Sequence, residues 1–177
     1  MKNKTNIGRM VQAAMFLSIG FVLPMLTSQI KEIGDTLLPM HMPVLLCGLI
    51  CGWRYGLVVG MLLPMLRGVV FGMPPIYPNA VWMAVELATY GFVIGILYSR
   101  MRQKGLLGVY ISLVSAMILG RIAWGISKAV LFGAAGKSFT VAMFIAGGFA
   151  DALPGIIIQL VLIPLIMELL NKRRTNV

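Results

Sequence analysis

Residues Phe71–Gly95 read FGMPPIYPNAVWMAVELATYGFVIG, a proline-broken loop running directly into an apolar helix that carries one carboxylate, Glu86. Pro74, Pro75 and Pro78 exclude regular helix before Asn79, because each lacks an N–H and restricts the residue ahead of it. After Asn79 nothing breaks the pattern until the basic cluster Arg100–Lys104. Asn79, Trp82, Met83, Glu86 and Tyr90 fall at i, i+3, i+4, i+7 and i+11, so they share one helix face. An ionised Glu facing lipid costs several kcal/mol, so that face must look at protein or water. The rest of the chain has to supply what meets Glu86.

The sequence is 59% hydrophobic and 11% charged, with a mean hydropathy of +0.94. Soluble domains carry about 25% charged residues, so this composition marks an integral membrane protein. A chain of 177 residues has room for about six spans of ~20 residues and for no separate soluble domain. The expectation is one all-α transmembrane domain over residues 1–177. The net charge of +10 could suggest nucleic acid, but its distribution excludes that reading. Lys2, Lys4, Arg9, Arg54, Arg100, Arg102, Lys104, Lys172, Arg173 and Arg174 cluster at intervals that alternate with apolar runs. That is the charge signature of a polytopic membrane protein with its basic loops inside.

Cys47 and Cys51 sit one helical turn apart in an apolar run and fit neither CxxC nor zinc spacing, so they read as small packing residues. The basic start has no A-x-A cleavage site, which predicts a retained first span. Walker A, HExxH and GxSxG motifs are absent, and a single His leaves little scope for a triad or metal site. No cofactor, metal or enzymatic activity is expected.

In chain order, span 1 covers about Met10–Leu26, with Ala14 and Ser18 as a small-xxx-small pair suited to close helix approach. Thr27–Leu37 is a polar connection that reads as a lid or an ordinary loop. Span 2, Leu38–Gly52, opens with Pro39 and Pro43 around His41 and offers Gly48-x-x-x-Gly52 for packing. Span 3, Tyr55–Gly72, carries Pro64 and Arg67, with Gly56 and Gly60 on a close-packing face. Span 4 runs from Asn79 to Arg100. Span 5, Leu106–Leu131, holds Arg121, Trp124 and Lys128 at i, i+3 and i+7. A Gly/Ala-rich outer segment, Phe132–Ala150, leads to span 6 at Ala152–Lys172, where Asp151 has the place of an N-cap. Both termini then lie on the cytoplasmic side.

Counted at ~1.5 Å per residue from their inner ends, Arg67, Glu86 and Arg121 lie roughly 18–23 Å deep in a ~30 Å core. They therefore share one layer in the outer third, with His41 and Asp151 near it and Lys128, Asn79 and Tyr77 just above. The inner half has no charge beyond Glu168, which is spaced to pair with Lys172. The pattern is a cup open to the outside, and its excess of positive charge favours a ligand with a carboxylate or phosphate. Simpler readings stay open: a structural ion pair for Glu86 with Arg67 or Arg121, a cap for Asp151, carbonyl satisfaction for His41, and packing or interfacial roles for Trp82 and Trp124.

The run LPMHMPVLLCGLICGWRYGLVVGMLLPMLRGVVFGMPPIYPNAVWMAVELATYGFVIGILY (Leu38–Tyr98) resembles the substrate-binding S components of energy-coupling factor (ECF) vitamin transporters. The likeness is greatest to the group that includes folate, riboflavin and pantothenate binders. The His-x-Pro start, the Gly-rich spans and the Pro-Pro loop into Glu-Leu-x-x-Tyr-Gly carry it. Ala14-x-x-x-Ser18 is similar to the family's Ala-x-x-x-Ala on helix 1, and LPGIIIQLVLIPLI (Leu153–Ile166) to its last helix. The resemblance implies that the chain binds a vitamin-like solute from the outer side of a bacterial plasma membrane. It also implies docking, through Ala14 and Ser18, onto a transmembrane coupling subunit that works with two ABC ATPases. The ligand would be held by helices 4 to 6 and the first loop. Together with the shared outer layer of charges, the candidate contacts are Glu86, Arg121, Arg67, His41, Asn79, Trp82, Trp124, Lys128, Tyr77 and Asp151. The rival class is a small stand-alone secondary transporter of an organic solute, which would want a midplane site and an internal repeat.

Overall fold

A computed structural model describes residues 2–27, 39–150 and 152–175. Helix α1 spans Lys2–Thr27, α2 His41–Cys51, α3 Trp53–Phe71, α4 Val81–Met101, α5 Gly105–Ala134, α6 Val141–Ile145 and α7 Leu153–Thr175. A wide turn at Ile76–Ala80 leads into α4, a tight one at Arg102–Lys104 joins α4 to α5, and Ala146–Ala150 extends α6. Among the described residues, four stretches are long and apolar enough to cross a bilayer: Ile7–Met25, Trp53–Phe71, Ile76–Ala134 and Leu153–Lys172. The third contains both α4 and α5. Helix α2 has 11 residues, a rise of ~16 Å, about half of a ~30 Å hydrocarbon core. The chain is an all-helical multi-pass membrane protein. The proposed lid at Thr27–Leu37 lies, from residue 28 on, outside the described residues, and so does Asp151.

The breaks follow from backbone chemistry. Pro43 falls in the first turn of α2, where its missing N–H would have had no helical partner. Gly52 turns the corner between α2 and α3 with φ +99°, a conformation that disfavours residues with a Cβ. Its neighbourhood within 4 Å is empty, so it is a corner residue and not the second half of a packing motif. The packing falls instead to Gly48, Gly56 and Gly91. A Cβ on Gly48 would stand 2.7 Å from the Gly91 carbonyl oxygen and one on Gly56 2.6 Å from it. Backbone thus touches backbone where α2 and α3 cross α4, the geometry that small residues permit in membrane helices.

Two apolar clusters result. One joins Leu45 on α2, Tyr90 on α4, Met117 on α5 and Ile163 on α7. The other joins Ala13 on α1, Val44 and Cys47 on α2, Leu63 on α3 and Leu87 on α4. Met15, Ile19 and Val22 on α1 and Ile118, Ile122 and Ile126 on α5 are exposed. Exposed apolar stripes are what a lipid-facing surface requires.

Candidate functional site

Glu86 lies one turn along α4 from Tyr90, on the face that packs into the bundle. Arg121 lies one turn along α5 from Met117, and His41 one turn along α2 from Leu45. Since Tyr90, Met117 and Leu45 belong to one cluster, these polar residues meet at the next level of the bundle. Glu86 Oε1 is 2.9 Å from Arg121 Nη1 and 3.3 Å from His41 Nε2. Residue exposures are 2% for His41, 2% for Glu86 and 3% for Arg121. The Tyr90 ring meets His41 edge-on with centroids 5.1 Å apart. Gly120, next to Arg121, makes room for that ring, since a Cβ there would fall 2.8 Å from Tyr90 Cε2.

The charges are close but under-bonded. Beyond these ion-pair contacts, Nδ1 of His41 and Nε and Nη2 of Arg121 have no hydrogen-bond partner. A buried ion pair recovers its desolvation cost only when the remaining donors and acceptors are also satisfied. Buried polar groups are ordinarily bonded, so these open positions single the cluster out as the candidate site.

An aromatic box lies one turn further out. Lys128 Nζ stands 5.2 Å from the ring centre of Trp82, 4.6 Å from that of Trp124, and 5.6 Å from those of Phe132 and Phe139. Trp82 precedes Glu86 by one turn and Trp124 follows Arg121 by three residues, so the box forms the next level of the bundle beyond the ion cluster. The two tryptophans are buried. A cation among four rings is held by their negative faces.

The family model for the ECF transporter, substrate-specific component, matches residues 8–167. The chain belongs to this family. No curated protein and no solved structure matches it. Substrate-specific components bind transport substrates and are not enzymes, which agrees with the expectation of a non-enzyme.

Within this S component the candidate residues separate. Glu86, Arg121 and His41 come together, and Trp82, Trp124 and Lys128 form the layer above them. Arg67 goes elsewhere. Its Nη1 donates to the Phe21 carbonyl of α1 at 2.7 Å, and its guanidinium lies 5.4 Å from the Phe71 ring centre. The cause is register: Leu63, one turn earlier on α3, packs against Gly20 of α1, and Arg67 continues that row. Tyr77 is 62% exposed, in the loop before α4, and Asn79 is half-buried in the wide turn.

On α1, Ala14 and Ser18 are exposed, and Ser18 Oγ donates to the Ala14 carbonyl at 3.0 Å. Their neighbour Ala13 carries the internal packing. Ala14 borders a groove of about 750 Å³ that also touches Arg9, Leu17, Trp53, Arg54 and Val58.

Sequence reasoning missed two features. Phe132 and Phe139 were read only as part of an outer Gly/Ala-rich segment, although Phe132 follows Lys128 by one helical turn. Gln159 on α7 was not singled out, yet it is 1% exposed and its Nε2 has no partner. Its signal was present: it is the one polar side chain in LPGIIIQLVLIPLI.

Proposed function

We propose that this S component captures a small water-soluble, vitamin-like solute on the extracellular side of a bacterial plasma membrane. It passes that solute to an ECF module made of a transmembrane coupling subunit and two ABC ATPases. The observation that carries this reading is the under-bonded cluster of Glu86, Arg121 and His41, buried at one level of an otherwise apolar bundle. Family membership supports the division of labour. In this reading the chain crosses the membrane six times, with α2 as its short second span and both termini cytoplasmic. ATP is hydrolysed by the partners, since the sequence has no Walker A motif. The box of Trp82, Trp124 and Lys128 covers the solute, and Tyr77 and Asn79 stand at the entrance. Ala14 and Ser18 offer the exposed small face onto which the coupling subunit docks.

Reconstitution tests this directly. Liposomes holding the chain alone should bind solute but show no concentrative uptake with a proton gradient, a sodium gradient or internal ATP. Adding the coupling subunit and ATPases should confer ATP-dependent uptake. Accumulation by the chain alone on an ion gradient would establish the secondary-transporter reading instead.

A further inference from the structure

The unbonded atoms at the cluster are not a random set. Nε and Nη2 of Arg121 are adjacent on one edge of the guanidinium, and both lack a partner while Nη1 faces Glu86. Those two N–H groups point the same way and form the fork that grips two oxygens of a carboxylate or phosphate. A fork left open in a site 3% exposed is costly unless something fills it.

Gln159 adds a donor from a fourth helix. It lies one turn along α7 from Ile163, which shares a core cluster with Leu45, Tyr90 and Met117. His41, Glu86 and Arg121 are each one turn from those three residues, toward the same end of the bundle. The register therefore sets Gln159 at their level, and its burial and unpaired Nε2 match theirs. Guanidinium and amide nitrogens only donate. Three obligate donors are thus buried without acceptors, and Glu86, the carboxylate of the cluster among the described residues, is already engaged by Arg121 and His41.

We propose that the substrate presents an oxyanion, a carboxylate or phosphate, to the Nε/Nη2 fork of Arg121, and that Gln159 fixes the same group by donating a third hydrogen bond. This rests on the reading of the cluster as the solute site and names the chemistry it selects. Gln159 is then a specificity residue. It separates an oxyanion, which accepts from all three donors, from the matching amide, whose NH₂ would oppose one of them.

The test uses the purified full-length chain in detergent. Its melting temperature is followed against benzoate and inorganic phosphate, and against benzamide and chloride at matched ionic strength. At least one oxyanion should raise the melting temperature where benzamide and chloride do not. In Gln159→Leu the half-effect concentration of that oxyanion should rise about tenfold, the scale of a lost charge-assisted bond, and in Gln159→Glu the response should vanish. Without probe, Gln159→Leu should melt no lower than the unsubstituted chain, because the buried Nε2 has no partner to lose. A loss of probe-free stability would show that Gln159 makes a structural bond, and would overturn the proposal. So would equal responses to benzoate and benzamide, no response to any oxyanion, or an unchanged response in both variants. Ion-driven accumulation by the chain alone would instead overturn the ECF division of labour and leave the oxyanion assignment standing.

Discussion

Arg121 on α5 reaches Glu86 on α4 across 2.9 Å, yet the guanidinium leaves its Nε/Nη2 edge without a partner. The pair ties two helices together and at the same time presents an open face. Its stability role and its binding role therefore separate by substitution.

Glu86→Gln and Arg121→Met, made singly, should each lower stability by about 3–5 kcal/mol, because each leaves an opposite charge buried without its partner. The double variant should recover most of that loss, since no uncompensated charge remains. Affinity for the transported solute should stay low in the double variant. Melting temperature and solute affinity across the three proteins check this. Restored stability together with undiminished affinity would remove both residues from the site.

Arg67→Met should behave differently from Arg121→Met. It removes the bond to the Phe21 carbonyl and so loosens α1 against α3, by about 1–3 kcal/mol for a hydrogen bond to a charged group. Solute affinity should change less than twofold. A large loss of affinity with unchanged melting temperature would place Arg67 in the solute site after all.

Glycine substitutions should sort by surroundings. Gly56→Ala drives a Cβ into the Gly91 backbone, which cannot retreat without parting α3 from α4. The expected cost is about 1–3 kcal/mol or more. Gly52→Ala meets open space and suffers only its backbone conformation, φ 99° and ψ 170°, costing about 1–3 kcal/mol for a residue in a region almost reserved to glycine. Chemical denaturation in detergent or bicelles should rank the first as the more damaging.

Ala14→Leu and Ser18→Leu enlarge an exposed face of α1 and touch neither core cluster. Melting temperature should stay close to that of the unsubstituted chain, and solute affinity with it. Co-purification with the coupling subunit should be lost. A variant that keeps its partner while losing solute would put the docking face on another helix.

Much of this architecture was written in the sequence by itself. Alternation of apolar runs with basic clusters determined that the chain is a helical membrane protein, because backbone in lipid must bond to itself and the charges must stay outside. Counting 1.5 Å per residue from those clusters put Glu86 and Arg121 at one depth, since helical rise is fixed by local hydrogen bonding. Depth, however, says nothing about azimuth. Arg67 shares that depth and faces α1, because the contact of Leu63 with Gly20 sets the rotation of α3. Gly52 looked like half of a packing motif, and the backbone uses it as a corner. The partners of Lys128 include Phe139, from beyond the end of α5, where no helical period connects the two. Gln159 lay in plain view in an apolar helix, but only the shared cluster beneath it puts it level with His41, Glu86 and Arg121. The sequence settled that apolar helices form and that Glu86 and Arg121 share a level, through rules local to each helix. The tertiary structure decided which of the polar groups meet, because helix rotation is set by packing between segments distant in the chain.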